Sequence, residues 1–316
     1  MLSVAPGAHA QATRGTLSVP LAHADPGGAS IELAYAHFRA REASRGTIVF
    51  LAGGPGEAAV RNARAIVGGA LEGLQRRYDI VVLDQRGAGR STPLRCAVLN
   101  DLDEDASVTE TAAAVARCGS SLGAARRFFS TYETVLDLEN LRRSLGVDRI
   151  IPLGVSYGGQ VAGDYARRFP AQVQAVILDS ASPVEGTDAM GRLPQLALPR
   201  VLDEICFTPG CESILGDPAV ILARAVELLD ARPLRGIGPD ELYRLLRASD
   251  LDPLLRAELP AALQAATQRD AGPLERLLRY AGRDSSAGVN QARFLATSCI
   301  EGQLPWAPDS DPTGRP

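Results

Sequence analysis

The chain has 316 residues, a formal net charge of −4, 46% hydrophobic and 22% charged residues, so it can bury a sizeable core and is not a disordered chain. The mildly acidic balance argues against nucleic acid as a main partner, and no apolar run approaches the roughly 20 residues of a membrane-spanning helix. All 33 basic residues are arginine, which excludes a Walker A lysine, a Schiff-base lysine and a serine–lysine pair.

Residues 16–21 and 31–39 read as two strands around the turn Asp25-Pro26-Gly27-Gly28. Residues 47–52 form a buried strand ended by Gly53-Gly54-Pro55-Gly56, and a helical stretch follows over 58–77. A second buried strand over 79–84 ends at Gln85-Arg86-Gly87-Ala88-Gly89. Residues 109–145 read as helix with a break near Ser130. Strands are expected at 150–153 and 173–179, with a helix between them that ends at Phe169-Pro170. Continuous apolar strands alternating with helices predict an α/β fold, a mostly parallel sheet with helices on both faces. From about residue 185 only helices are expected, over 193–205, 219–230, 240–248, 253–268, 273–280 and 291–300. The organisation read from the sequence is a core over 1–184, a helical region over 185–300 and a loop over 301–316.

Gly154-x-Ser156-x-Gly158 falls between a buried strand and a helix. A serine on such a sharp turn is lifted to the carboxyl edge of the sheet, and small residues on either side let the turn close. Acyl transfer also needs N–H donors for the developing oxyanion. The arrangement assigns one to Tyr157, the residue after the serine, and the other to Gly54 in the glycine-rich turn.

Taken together, Gly53-Gly54-Pro55-Gly56, Asp84-Gln85-Arg86-Gly87-x-Gly89-x-Ser91 and Gly154-x-Ser156-Tyr157-Gly158-Gly159 resemble the proline iminopeptidase and tripeptidyl aminopeptidase group of α/β-hydrolases. The likeness covers roughly residues 15–182; the helical region matches only in position and helicity. It implies an α/β-hydrolase fold with an inserted helical cap, and a serine peptidase, often exported, that removes residues or tripeptides from peptide amino termini. Ala52 stands where many proline iminopeptidases carry a histidine, which leans toward the tripeptidyl branch. The group also implies a carboxylate for the substrate's α-ammonium, for which Glu301, Glu204 and Glu212 are candidates. Asp84 and Arg86 read either as supports beneath the site or as a structural ion pair.

No Cys-x-x-Cys is present, so a zinc cluster is not expected, and no cofactor is implied. The five cysteines read as a disulfide framework with one left over, or as buried thiols in a reducing compartment. Proximity in sequence and the exported habit of the group favour Cys96–Cys118 and Cys206–Cys211, with Cys299 unpaired. The first residues lack the basic and apolar regions of a signal peptide, so an export signal is expected to have been removed or to lie upstream.

The serine needs a base, and in this fold the triad runs serine, acid, histidine along the chain. The three histidines, His9, His23 and His37, all precede Ser156. The chain therefore reads as lacking a C-terminal segment whose strands bear the acid and histidine, and as poorly active by itself. Asp179 is the alternative acid. The expected function is a serine hydrolase acting on peptide amino termini; the rivals are an esterase of the same fold and a non-catalytic peptide- or ligand-binding homologue.

Overall fold

The computed structural model describes residues 12–100, 102, 106, 108–183, 192–205, 217–249, 252–281 and 289–301. Among the described residues six strands make one sheet: β1 (Thr13–Pro20), β2 (Ser30–Phe38), β3 (Thr47–Leu51), β4 (Asp79–Leu83), β5 (Ile151–Val155) and β6 (Ile177–Asp179). Their order is β1-β2-β4-β3-β5-β6. The β1–β2 and β2–β4 pairs are antiparallel, and β4, β3, β5 and β6 run parallel.

Period-two alternation within the apolar runs feeds two cores at once. Val49, Leu51, Val81 and Leu83 point to one face, where they meet Val135, Leu138 and Leu141 of α2 (Thr131–Ser144) and Val161 and Tyr165 of α3 (Tyr157–Arg168). Ile48, Ile80, Val82, Ile151 and Leu153 point to the other, against Ala63, Val67 and Leu71. The helix that precedes α2 in the chain, α1 (Val108–Leu122), is joined to the segment before it by the Cys96–Cys118 disulfide. Ser130 is the N-cap of α2 and accepts from the Glu133 N–H at 3.3 Å, which is the break expected there.

Two expected elements differ. Residues 58–77 form short turns, Val60–Asn62, Ala63–Gly68 and Glu72–Gln75, rather than one helix. Gly68-Gly69 removes helix propensity at the centre, and Gly69 leaves helical geometry at φ −105°, ψ −98°. Residues 173–179 yield only a three-residue β6, because Val173 makes an isolated bridge to Ile150 ahead of it.

The described residues up to 183, together with 289–301, form one compact unit; those from 192 to 281 form a second. The second unit is helical: α4 (Arg192–Ile205), α5 (Pro218–Ala231), α6 (Pro239–Ser249), α7 (Pro253–Thr267) and α8 (Gly272–Ala281). Asp217 and Asp252 cap α5 and α7 with proline at the first helical position, so each Asp-Pro pair is a start signal. Leu202, Ala225, Leu229, Leu245, Leu259, Leu263 and Leu274 make its own core. The last helix, α9 (Gln291–Glu301), belongs to the first unit, although its sequence continues the helical texture of the second. No helix among the described residues is long and apolar enough to cross a membrane.

Candidate active site

Ser156 links β5 to α3 at φ +53°, ψ −119°, a conformation that costs a non-glycine residue energy and that is held from outside. Its N–H donates to the Asp179 carbonyl at 3.0 Å, and its carbonyl accepts from Gly159 at 2.9 Å and Ser182 at 3.0 Å. The flanking glycines have no room for a side chain. A Cβ on Gly154 would come within 2.1 Å of the Gly158 carbonyl oxygen, and one on Gly158 within 2.1 Å of the Leu51 carbonyl oxygen.

The Gly53–Gly56 turn lies beside this elbow: a Cβ on Gly53 would stand 3.2 Å from the Ser156 Cβ. Gly54 and Gly56 take φ +104° and +108°, which only glycine adopts without strain. Two residues after β4 hold the turn. Gln85 donates Nε2 to the Ala52 carbonyl at 2.7 Å. Asp84, fully buried, accepts from the Ala59 and Val60 N–H groups at 2.7 and 2.8 Å and from the Arg90 N–H at 2.9 Å.

Asp84 and Arg86 do not pair with each other. The Arg86 guanidinium forks onto Asp137, lies 3.6 Å from Glu133, and donates to the Pro20, Leu21 and Phe128 carbonyls. Asp84 thus touches the segment that follows the Gly53–Gly56 turn, whereas Arg86 makes a buried ion pair with Asp137. Gln85 was not singled out from the sequence, since a glutamine after a strand carries no signal of which carbonyl it will find.

Tyr157 is wholly buried, and burial raises its phenol above the ordinary value. Its hydroxyl meets Thr131 Oγ1 at 2.9 Å and Arg293 Nη2 at 3.3 Å. Glu301 accepts from the Thr131 N–H, from Thr131 Oγ1 at 2.6 Å and from Gln160 Nε2 at 3.3 Å. Its carboxylate thus anchors the start of α2, and these contacts give no support to a role in binding an amine. Glu204 pairs with Arg200 one turn earlier on the exposed side of α4. Glu212 and the Cys206–Cys211 pair lie outside the described residues. Cys299 is unpaired and exposed.

Among the described residues no histidine is bonded to Ser156. His23 Nε2 sits 2.8 Å from Asp137, and His37 lies 3.8 Å from Asp79. His9 is outside the described residues. Asp179 accepts from the Ser180 hydroxyl at 3.0 Å, a local contact. An apolar cavity of about 510 Å³ is lined by Val115, Leu122, Ala292, Leu295 and Ile300, and Ser156 is not part of its wall.

A family model described as the alpha/beta hydrolase fold matches residues 46–203, which include the four parallel strands β3 to β6, both glycine-rich turns and the elbow. The chain belongs to the α/β-hydrolase family. It is 30% identical over 237 residues to serine protease Hip1 of Mycobacterium tuberculosis, covering 68% of this chain and 44% of that protein. It is 28% identical over 185 residues to the tripeptidyl aminopeptidase of Streptomyces coelicolor, covering 52% and 34%, and 28% over 131 residues to the proline iminopeptidase of Neisseria meningitidis, covering 42% and 31%. The chain therefore spans less than half the length of these relatives.

Proposed function

We propose that this α/β-hydrolase chain carries the nucleophile of a serine peptidase that removes residues or tripeptides from peptide amino termini, with Ser156 as the attacking group. The observation that carries the reading is the strained Ser156 at φ +53°, held at the end of β5 beside the Gly53–Gly56 turn. Its hydroxyl oxygen would add to the scissile carbonyl carbon, its proton passing to a base as the carbon–oxygen bond forms. The Gly54 and Tyr157 N–H groups are the proposed donors to the resulting oxyanion. Collapse expels the amine of the shortened peptide, and water then releases the acyl group. The peptide specificity is supported by the names of the relatives.

Neither His23 nor His37 is the base in this reading, because each faces a carboxylate away from Ser156. The Cys96–Cys118 disulfide supports an exported or envelope location. The test is covalent labelling with a fluorophosphonate, with imidazole added as proton acceptor because no described histidine reaches Ser156, mapped by peptide mass spectrometry. The adduct is expected on Ser156 and lost in Ser156→Ala; an adduct elsewhere overturns the reading. Peptide reporters with free and blocked amino termini, run beside simple esters, separate the aminopeptidase from an esterase of the same fold.

A further inference from the structure

We propose that Asn290, the residue before α9, and Arg293, in its first turn, are positioning residues that brace both candidate oxyanion donors. This rests on the reading of Ser156 as nucleophile with Gly54 and Tyr157 as donors. The two donors come from distant parts of the chain, and electrostatic stabilisation of this kind works only when the donors are held in place beforehand. Gln85 and Asp84 tie the Gly54 turn at its entry and exit. Its middle is tied by α9.

The Asn290 N–H donates to the Gly56 carbonyl at 2.9 Å, and Val289 bridges Glu57 next to it. The approach is close, since a Cβ on Gly56 would come within 2.7 Å of the Asn290 carbonyl oxygen. The Asn290 side chain fixes that backbone. Oδ1 caps α9 by accepting from the Arg293 N–H at 2.9 Å, and Nδ2 donates to the Leu94 carbonyl at 2.8 Å.

Arg293 is fully buried, and among the described residues no carboxylate is hydrogen-bonded to it. Its guanidinium donates to Thr297 Oγ1, to Thr134 Oγ1 at 3.0 Å and to the Tyr157 hydroxyl at 3.3 Å, while its Nε has no partner. The Glu301 carboxylate acts favourably on this cation without bonding to it, and burial still works against the charge, so an apolar side chain would fill the core more cheaply. What the guanidinium supplies is a fixed hold on the Tyr157 ring, whose own backbone N–H is the second donor. One helical turn thus reaches Gly54 through Gly56 and Tyr157 through its hydroxyl.

The experiment compares two readouts on the 316-residue chain. One is the second-order rate of Ser156 phosphonylation at a fixed concentration of added imidazole, which serves as proton acceptor; the adduct places an oxygen where the oxyanion would sit. The other is the dissociation constant of trialanine, which needs no oxyanion donor. Arg293→Met is expected to slow phosphonylation about tenfold or more, short of the roughly 10²–10³ lost when a donor is removed outright. Trialanine affinity should stay within about twofold, whereas general damage to the fold would lower both. In a Tyr157→Phe background, which keeps the N–H, the same substitution should cost less, because neighbours acting as a unit are not additive. Asn290→Ala should slow labelling, and Asn290→Asp, which keeps the capping oxygen, should restore part of it. If Arg293→Met does not fold, Tyr157→Phe and the two Asn290 variants carry the comparison. Wild-type labelling rates in these variants overturn this inference alone. Absence of Ser156 labelling in the unaltered chain overturns the nucleophile reading, and this inference with it.

Discussion

Arg86 grips Asp137 with two parallel hydrogen bonds, Nε to Oδ2 and Nη2 to Oδ1, both 2.6 Å, and neither side chain reaches solvent. The same guanidinium collects the Pro20, Leu21 and Phe128 carbonyls, so a single residue ties the end of β1 and the approach to α2 to the turn after β4. Removing one member leaves the other charged and buried. Asp137→Ala is expected to destabilise the chain by about 3–5 kcal/mol. Replacing both partners with apolar residues of similar volume should cost less than the single change. Urea unfolding of the two variants checks this; a single variant as stable as the parent would contradict it.

Gly158, like Gly154, is an elbow position with no room for a side chain. A Cβ there would meet the Leu51 and Ala52 carbonyl oxygens at 2.1 and 2.8 Å, and both are backbone atoms of the strand end that leads into the Gly53 turn. Gly158→Ala is expected to cost about 1–3 kcal/mol or more through overpacking, and to abolish Ser156 labelling by shifting the turn. Gly146→Ala is a useful contrast, since a Cβ there meets nothing within 4 Å although φ is +69°. It should cost some stability through backbone strain alone and leave labelling intact.

Most of the fold was legible because its signals are local. The runs at β3, β4 and β5 are short, β-branched and closed by glycine turns, and their two-faced burial needs no partner to be recognised. Ser156 was legible for the same reason, since strand, glycines and helix adjoin it. What escaped was long-range. Asn290 and Arg293 read as an ordinary helix start, yet their partners, Gly56, Thr134 and Tyr157, lie far back in the chain. Glu301 is a candidate from its carboxylate, but its contact with Thr131 is not legible, because 170 residues separate them. The placement of α9 with the first unit is set by these contacts and not by its helical texture.

Glu139 yields a pH dependence with a definite sign. Burial alone would raise its carboxyl, but hydrogen bonds from Arg142, Tyr165 and Arg143 outweigh it and hold the group below the ordinary 4.5. A carboxylate whose folded value is depressed contributes stability above the unfolded value and loses it as pH falls through the folded one. Glu139→Gln is therefore expected to be less stable than the parent at pH 7, with the gap closing as pH drops below about 4.5. Unfolding curves at pH 7 and pH 3 check the sign; a gap that widens in acid would contradict it.

The accessible chemistry of the cysteines follows from their placement. Cys96 and Cys118 are joined and buried, whereas Cys299 is free and exposed on α9. Iodoacetamide should modify Cys299 in the native chain and leave Cys96 and Cys118 untouched until a reductant is added. Modification of Cys118 without reduction would show that the disulfide is not formed.

Turnover is the final expectation. Ser156 has the strained backbone of a nucleophile, yet His23 faces Asp137 and His37 faces Asp79. A hydroxyl with no adjacent base retains what binding and oxyanion donors provide, roughly 10³–10⁴-fold over water. Loss of the base alone costs on the order of 10⁶ in turnover in the best-measured serine protease. The 316-residue chain is therefore expected to release an amino-terminal tripeptide reporter far below an ordinary ~10 s⁻¹. Added imidazole should raise the rate in proportion to the concentration of its neutral form, because it supplies a proton acceptor that no described histidine provides to Ser156, and Ser156→Ala should remove both the basal and the imidazole-dependent rate. Turnover near ~10 s⁻¹ without imidazole would mean that a residue of this chain already serves as the base, and variants of His9, His23 and His37 would show which.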